Sequence, residues 1–169
     1  KEGKVNTVRV DMGEPILEAK KIPVVSNEKI VQNLKLKIEE RNFNFTCVSM
    51  GNPHAITFVK NIGEFEVERY GSKIEVNEKF PQKTNVEFIE IVNKNYIKMR
   101  VWERGSGETL ACGTGACASV VAGIINNLIE RKVTVELLGG ILEIEWNKED
   151  NHVYMTGPAV IVYEGELLR

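Results

Sequence analysis

The stretch that decides the fold of this chain is residues 102–128, WERGSGETLACGTGACASVVAGIINNL. From residue 114 onward it is apolar on nearly every side of a helix, with Ala and Gly interspersed among Val, Ile and Leu. A helix that lacks a polar face is stable only when it is buried, and its small residues let neighbouring elements approach closely. We therefore predict a central helix over residues 114–128, enclosed by the remainder of the 169-residue chain.

The sequence on both sides of this helix predicts β-structure. Residues 34–38 alternate apolar and polar side chains and residues 43–48 do so again, which is the pattern of a half-buried hairpin. A second helix is expected where Val67, Tyr70 and Ile74 recur at helical spacing. The predicted fold class is α/β (α+β), with an antiparallel, barrel-like sheet wrapped around the central buried helix. Further strands are expected at residues 5–10, 55–59, 86–92, 96–102, 134–138, 141–146 and 154–163.

Composition and charge argue against several classes of partner. The chain has 22 Lys and Arg against 24 Asp and Glu, a formal net charge of −2, and no basic block, so no nucleic-acid partner is expected. No apolar run approaches the roughly 20 residues that cross a bilayer, so no membrane partner is expected. Cys47, Cys112 and Cys117 form neither a paired framework nor a Cys-x-x-Cys ligand set. This cysteine usage predicts a reducing, cytoplasmic setting and no metal site.

Cys112 is the strongest candidate for chemistry because it stands directly before the central helix. The first N–H groups of a helix lack partners within the helix and carry partial positive charge. A thiolate at Cys112 is therefore expected to be favoured, and the amides of Gly113 and Thr114 could hold an anion. The alternative is that Cys112 is a small buried hydrophobe beside a tight glycine turn. The glycine-rich helix start and the neighbouring Glu103-Arg104 pair favour the functional interpretation.

Two other segments are weaker candidates for the same pocket. The turn at residues 51–54, Gly-Asn-Pro-His, presents the Asn52 amide and the His54 imidazole together. A solvated turn with a capping Asn explains this pattern equally well. Asn85 stands at the start of a predicted strand, where a polar residue is usually structural.

Residues 113–118 also match the loose dinucleotide fingerprint G-x-G-x-x-A. That fingerprint requires a strand, a turn and a helix within a parallel βαβ unit. The flanking patterns here predict antiparallel hairpins, and residues 110–112 are too short for the required strand. We therefore expect no dinucleotide cofactor.

Several motifs together resemble the second half of the diaminopimelate epimerases. The most specific is E-R-G-x-G-E-T-x-A-C-G-T-G-A at residues 103–116, and it is accompanied by G-N-P-H at 51–54, T-N-V-E-F at 84–88 and T-G-P-A at 156–159. The resemblance covers nearly the whole chain. It implies one lobe of a two-lobed fold, in which each lobe is a β-barrel closed around a helix. It also implies interconversion of L,L- and meso-diaminopimelate, without pyridoxal phosphate or metal, on the route to lysine and cell-wall precursors.

The resemblance implies roles for individual residues. Cys112 looks like one of two catalytic cysteines, because stereoinversion needs a base on one face of the α-carbon and an acid on the other. His54 is implied as a polar support close to the reacting centre. The implied substrate-binding residues are Gly113 and Thr114 for the α-carboxylate, Arg104 and Asn85 for the distal carboxylate, and Asn52 and Glu103 for the amino groups.

The first-lobe motif of the family, Cys-Gly-Asn-Gly with an upstream Asn-x-Asp-Gly-Ser, is absent from the chain. We therefore expect residues 1–156 to be the C-terminal lobe of a longer polypeptide. Residues 157–169 are expected to carry a final strand that packs on the missing N-terminal lobe. The lobe alone is expected to be inactive and prone to form a homodimer through its exposed surface.

Two alternatives stay open on sequence alone. A proline or hydroxyproline racemase-type enzyme shares the fold and a Cys-Gly-Thr-Gly, although its motif usually has Asp-Arg-Ser-Pro before the cysteine. Glu103-Arg104 suits a substrate with a second charged end better. The other alternative is a binding module that keeps the lobe without catalysis.

Overall fold

The computed structural model describes residues 5–167, which form one ten-stranded sheet, two α-helices and two short 3-10 turns. Residues 1–4 of the predicted segment 1–156 and residues 168–169 of the predicted segment 157–169 lie outside this range. The helices are α1 (Val67–Glu75) and α2 (Gly113–Ile125), and the 3-10 turns are Ala19–Lys21 and Ile62–Glu64. The strands are β1 (Thr7–Asp11), β2 (Leu34–Ile38), β3 (Arg41–Ser49), β4 (Pro53–Phe58), β5 (Asn85–Asn93), β6 (Tyr96–Glu103), β7 (Gly107–Thr109), β8 (Lys132–Leu137), β9 (Gly140–Trp146) and β10 (Val153–Pro158).

The strands lie in the order β1-β10-β9-β8-β6-β5-β4-β3-β2, and β7 pairs with β6. The hairpin predicted over residues 34–48 is confirmed as β2–β3. The strands predicted at 86–92 and 96–102 form the hairpin β5–β6, and those predicted at 134–138 and 141–146 form the hairpin β8–β9. The sheet is antiparallel, as predicted, except at two pairings, because β4 pairs with β5 and β6 pairs with β8 in parallel. Each of these connections contains a helix, which returns the chain to the sheet edge where the first strand began.

The sheet separates two apolar cores. Along β3 and β4 alternate side chains point to opposite faces, so Val48 and Ile56 join one core while Cys47 and Ala55 join the other. The first core contains α2, and the second contains α1 and most of the aromatic rings. α2 touches β3, β4 and β5 as well as β9 and β10, so the sheet curves around it. The predicted sheet around a central buried helix is confirmed.

The C-terminal end of α2 differs from the prediction in a way that its sequence explains. The helix ends at Ile125, three residues before the predicted Leu128. The Asn126 side chain donates to the Ala122 carbonyl at 2.7 Å, and Asn127 takes a positive φ of 58°. Asn side chains that bond the local backbone compete with the helical hydrogen bonds, so the two asparagines end the helix.

The chain after β10 has no strand in the described residues. β10 ends at Pro158, so the strand predicted over residues 154–163 is shorter than expected. Residues 159–167 show no regular structure, and Val160, Ile161 and Val162 are each at least 78% exposed.

Neither helix within residues 5–167 has the length and apolar content needed to cross a membrane.

Candidate functional site

Most of the site residues predicted from sequence lie at one edge of the sheet. The parallel strands β4 and β5 begin at this edge, and β6 ends there. His54 pairs with Asn85 in the β4–β5 register, and the β5–β6 register, which pairs Val86 with Trp102, brings Asn85 next to Glu103. The start of α2 reaches the same edge, as the hydrogen bond from Asn52 to Thr114 shows.

Cys112 is the N-cap residue of α2. Its backbone is extended, with φ −142° and ψ 106°, and its carbonyl accepts the Ala116 N–H at 2.9 Å. The side chain is 7% exposed, and its Sγ lies 3.6 Å from the Thr114 Oγ1. The thiol therefore stands at the positive end of the buried helix, as the sequence predicts.

The protonation state of Cys112 differs from the sequence expectation. The pKa of the thiol is raised to about 11, first by burial and second by the nearby Glu87 carboxyl, although hydrogen bonds with the Thr114 hydroxyl and the Gly115 amide lower it. The expected thiolate is therefore wrong for this chain at neutral pH, where Cys112 is a thiol. The start of a helix favours a thiolate, but this effect on the pKa is outweighed, because removal from water penalises the charged form of the sulfur.

A chain of hydrogen bonds connects Cys112 to three other predicted site residues. The Asn52 Nδ2 donates to the Thr114 Oγ1 at 3.3 Å, and the Asn52 Oδ1 lies 3.0 Å from the His54 Nε2. The structure thus brings Cys112, Thr114, Asn52 and His54 into one cluster, which we call the cysteine cluster.

Glu87 completes the cysteine cluster and was given no role in the sequence analysis. Its Oε1 lies 2.6 Å from the His54 Nδ1, and both side chains are fully buried. A Cβ added at Gly115 would lie 2.8 Å from the same Oε1, so the carboxyl occupies space that only a glycine leaves open. The available signal was an acidic residue between Val86 and Phe88 in a predicted strand, because a charge at a buried position requires a partner.

Asn85 and Arg104 are joined through the backbone. The Asn85 Nδ2 donates to the Pro53 carbonyl at 2.9 Å, and its Oδ1 accepts the Arg104 N–H at 2.8 Å. The exposed Arg104 guanidinium donates to the Gln82 carbonyl at 3.1 Å. Within residues 5–167 no hydrogen bond joins the Arg104 side chain to the cysteine cluster.

Glu103 likewise stays outside the cysteine cluster. Its Oε1 accepts the Thr109 hydroxyl at 2.6 Å, which links the end of β6 to β7. Its charge still acts on Cys112 as a small contribution that raises the thiol pKa. Glu103 therefore lies near enough to influence the thiol without bonding to it.

A second buried carboxylate, Glu75 at the end of α1, supports the turn that carries Arg104. It accepts the Trp102 Nε1–H at 2.7 Å and the Gly105 N–H at 3.1 Å, and Lys83 lies 3.4 Å away. Burial acts to raise the pKa of Glu75, but these donors outweigh burial and lower it. The sequence analysis missed this residue, because its partners are distant along the chain.

The described part of the chain, residues 5–167, contains no group of three or more His, Cys, Asp or Glu placed to hold a metal ion. The groups that the site does offer are a proton on sulfur, free amides at the start of α2 and a buried acid–imidazole pair. Such a set suits proton transfer beside a bound anion.

Comparison with known proteins gives consistent matches in sequence. Residues 46–162 match the family model described as diaminopimelate epimerase. The chain is 59% identical over 165 residues to a diaminopimelate epimerase of Methanococcus maripaludis, a match that covers 98% of this chain and 60% of the relative. It is 56% identical over 166 residues to one of Acetivibrio thermocellus, covering 98% and 59%. The chain therefore spans about 60% of the length of these curated relatives.

A solved structure shows the same fold at low sequence identity. A hydroxyproline epimerase from Agrobacterium vitis, with bound trans-4-hydroxy-L-proline, superposes with a TM-score of 0.66 at 13% identity. The match covers 93% of this chain and 52% of that protein.

Proposed function

The chain belongs to the diaminopimelate epimerase family, and on that premise we propose that it is the Cys112-bearing lobe of an isomerase that interconverts L,L- and meso-diaminopimelate. The observation that carries the proposal is the buried thiol at the N-cap of α2. It lies within the most specific motif of the chain and at the end of a hydrogen-bonded cluster.

The proposed reaction uses two cysteines on opposite faces of the substrate. A thiolate from the missing lobe takes the α-proton, and the Cys112 S–H gives a proton to the other face of the carbanion. This leaves a thiol on the missing lobe and a thiolate at Cys112, and the reverse reaction uses them in the opposite sense. The thiol form of Cys112, which burial favours by raising its pKa to about 11, suits the acid.

The α-carboxylate is proposed to bind at the start of α2, on the amides of Gly113 and Thr114. Negative charge grows there as the proton leaves, and preorganised N–H groups stabilise it most at that moment. This electrostatic contribution lets the reaction proceed without pyridoxal phosphate.

The far end of the substrate is proposed to bind at the turn after β6. Arg104 uses one N–H of its guanidinium on the Gln82 carbonyl, so its remaining donors can form paired hydrogen bonds with a carboxylate. The Asn85 Oδ1 holds the backbone of this turn by accepting the Arg104 N–H. One hydrogen of its side-chain NH₂ group bonds to the Pro53 carbonyl, and the other is proposed to bind the same carboxylate. Glu103 and Asn52 are proposed to bind the amino groups.

The proposal requires a first lobe that this chain does not supply. We assign residues 1–156 to the second lobe and residues 157–169 to a segment that packs on the first. The exposed apolar side chains of Val160, Ile161 and Val162 support this assignment. The protein is further proposed to act in the cytoplasm, where its three cysteines stay reduced, in lysine and cell-wall precursor synthesis. Homodimer formation stays a prediction.

The test uses the complete polypeptide that carries this chain. Cys112→Ala should lower epimerisation at least about 100-fold, since one general acid or base contributes 10²- to 10⁴-fold. Cys117→Ala, on the same helix but inside the core, is the matched control and should keep turnover. A Cys112→Ala variant that keeps more than roughly a hundredth of the wild-type rate contradicts the assignment.

A second measurement tests the need for two lobes. The 169-residue chain alone should not epimerise diaminopimelate, because it offers an acid or base to one face of the α-carbon only. It should not exchange the α-proton of diaminopimelate for deuterium either, because half of the carboxylate-binding amides and the cleft that excludes water require the other lobe. Turnover by the purified chain would place a second acid or base within it. A binding lobe without catalysis would bind diaminopimelate yet stay silent when the first lobe is added.

A further inference from the structure

Glu87 is a buried acid that the proposed mechanism does not use. It lies on β5 with no exposed surface, and its Oε2 has no hydrogen-bond partner within residues 5–167. Its Oε1 contacts the His54 Nδ1 at 2.6 Å. A buried carboxylate with an unpaired oxygen lowers stability, and sharing a proton with a neighbour reduces that cost. Such a group in a folded protein therefore calls for an explanation.

The hydrogen-bond geometry determines where the protons of this pair lie. The Asn52 Nδ2 donates to Thr114, so the Asn52 Oδ1 is the atom that faces the His54 Nε2. An amide oxygen only accepts, and therefore the His54 Nε2 carries a hydrogen. The 2.6 Å contact between Nδ1 and the Glu87 Oε1 needs a second proton. Both protons are present when the pair has no net charge.

A pair without net charge suits the position of Glu87. Complete burial raises the pKa of the Glu87 carboxyl, while the adjacent His54 acts in the opposite direction. The shared proton therefore lies between the two groups rather than leaving an isolated carboxylate in the core. A Glu87 carboxylate raises the pKa of the Cys112 thiol through its charge. Because the pair with His54 has no net charge, this charge effect on the sulfur is smaller than that of an isolated carboxylate.

The proton on the His54 Nε2 controls two groups that are closer to Cys112. It requires the Asn52 oxygen to face His54, and this turns the Asn52 NH₂ group toward Thr114. The Thr114 oxygen then accepts from Asn52, which leaves its own hydrogen free for the Cys112 Sγ at 3.6 Å. If the Nε2 hydrogen were lost, the amide would turn over and the Thr114 hydroxyl would donate to Asn52 instead.

We propose that Glu87 is a positioning residue, which holds a proton on the His54 Nε2 and so directs the Asn52 amide and the Thr114 hydroxyl toward Cys112. The catalytic meaning of this relay rests on the proposed function, because it assumes that Cys112 is the acid or base. The arrangement of protons itself does not depend on that function.

The first test is the ¹⁵N NMR spectrum of the histidine rings in the full 169-residue chain, because ring ¹⁵N shifts distinguish protonated from bare nitrogens. The chain has two histidines, so the His152→Gln spectrum assigns His54. In the wild type we expect one His54 species with a protonated Nε2. In Glu87→Gln a second tautomer should appear, because an amide can either donate to Nδ1 or accept from it. Glu75→Gln, the same change at the other buried glutamate, should leave the His54 signals unchanged.

The second test measures alkylation of Cys112 by iodoacetamide at pH 8 in the same chain. Loss of one hydrogen bond to sulfur lowers the thiolate fraction about fivefold, and the more basic thiolate recovers about half of that on a logarithmic scale. Glu87→Gln and Thr114→Val should each slow alkylation about twofold, and the double variant should be no slower than either single one.

Either of two results overturns the relay. One is a wild-type His54 Nε2 without a proton, which needs no variant and is readable even if Glu87→Gln does not fold. The other is additive slowing in the double variant. Neither readout uses diaminopimelate, so failure of the relay is distinct from failure of the Cys112→Ala test in the complete polypeptide.

Discussion

The two helices connect strands in the same way but occupy opposite faces of the sheet. α1 joins β4 to its parallel neighbour β5, and α2 lies between the parallel strands β6 and β8. α1 buries one stripe of its surface, whereas α2 is buried along most of its length. The difference follows from sequence, because α1 has a polar side and α2 has none.

Burial makes the ends of the two helices chemically different. The start of α2 places the amides of the half-buried Gly113 and Thr114 beside the buried Cys112 thiol, where electrostatic interactions are stronger than in bulk water. The end of α1 carries Glu75, which is buried too but is satisfied by donors from Trp102 and Gly105. One helix end thus offers unpaired groups to a ligand, and the other supports a neighbouring turn.

The largest expected effect is on the free energy of unfolding, and it concerns the core on the side of the sheet that carries α1. Phe88 is fully buried, and its ring lies 4.6 Å from that of Phe65. Phe88→Ala should lower the free energy of unfolding by about 3–5 kcal/mol, because it removes a buried ring and leaves a cavity. Urea unfolding measures this, with the half-exposed Val92→Ala as the control. A loss near that of the control would mean that the aromatic rings do not form the core of this face.

The next largest effect is a loss of kcat that distinguishes substitutions at the two ends of α2. A Cβ at Gly115 would lie 2.8 Å from the Glu87 Oε1 and 3.2 Å from the Cys112 Sγ. Gly115→Ala should therefore displace both groups and lower kcat of the complete polypeptide about 100-fold. Gly123→Ala is matched, because its Cβ meets Ile129 at the far end of the helix and should affect stability alone. Equal losses of kcat in the two variants would contradict a site confined to the start of α2.

A smaller effect tests the turn that α1 supports. Arg104→Lys should raise KM for diaminopimelate about tenfold, because a single ammonium cannot form the paired hydrogen bonds of a guanidinium with a carboxylate. Arg69→Lys on α1 is the control, since Arg69 pairs with Glu39 and Glu66 on the surface. Unchanged KM and kcat would show that Arg104 faces away from the substrate.

The smallest effect is a pH dependence at the end of α1. The pKa of Glu75 is lowered by its hydrogen-bond donors, despite burial, from the usual 4.5. A lowered folded-state pKa stabilises the fold above pH 4.5, and this contribution is lost as the pH falls through the folded-state pKa. Glu75→Gln should cost about 1 kcal/mol at pH 7 and progressively less below pH 4.5. A difference that does not change with pH would assign the stabilisation to shape alone.

The fold was predictable wherever neighbours in sequence carry the signal. The hairpins β2–β3, β5–β6 and β8–β9 follow from short alternating runs joined by turns, and the buried nature of α2 follows from its composition. The parallel pairings were not predictable in this way. They join strands that are separated by a helix, and no local pattern records which strands become neighbours.

The cysteine cluster was likewise predictable only where the signal is local in sequence. The sequence by itself determined that Cys112 opens a buried helix beside free amides, because capping and helix periodicity act within a few residues. Only the tertiary structure decided that Glu87 meets His54, 33 positions away in sequence, and that the thiol stays protonated. Both outcomes depend on which groups lose contact with water, and that is a property of the whole packed sheet rather than of any segment.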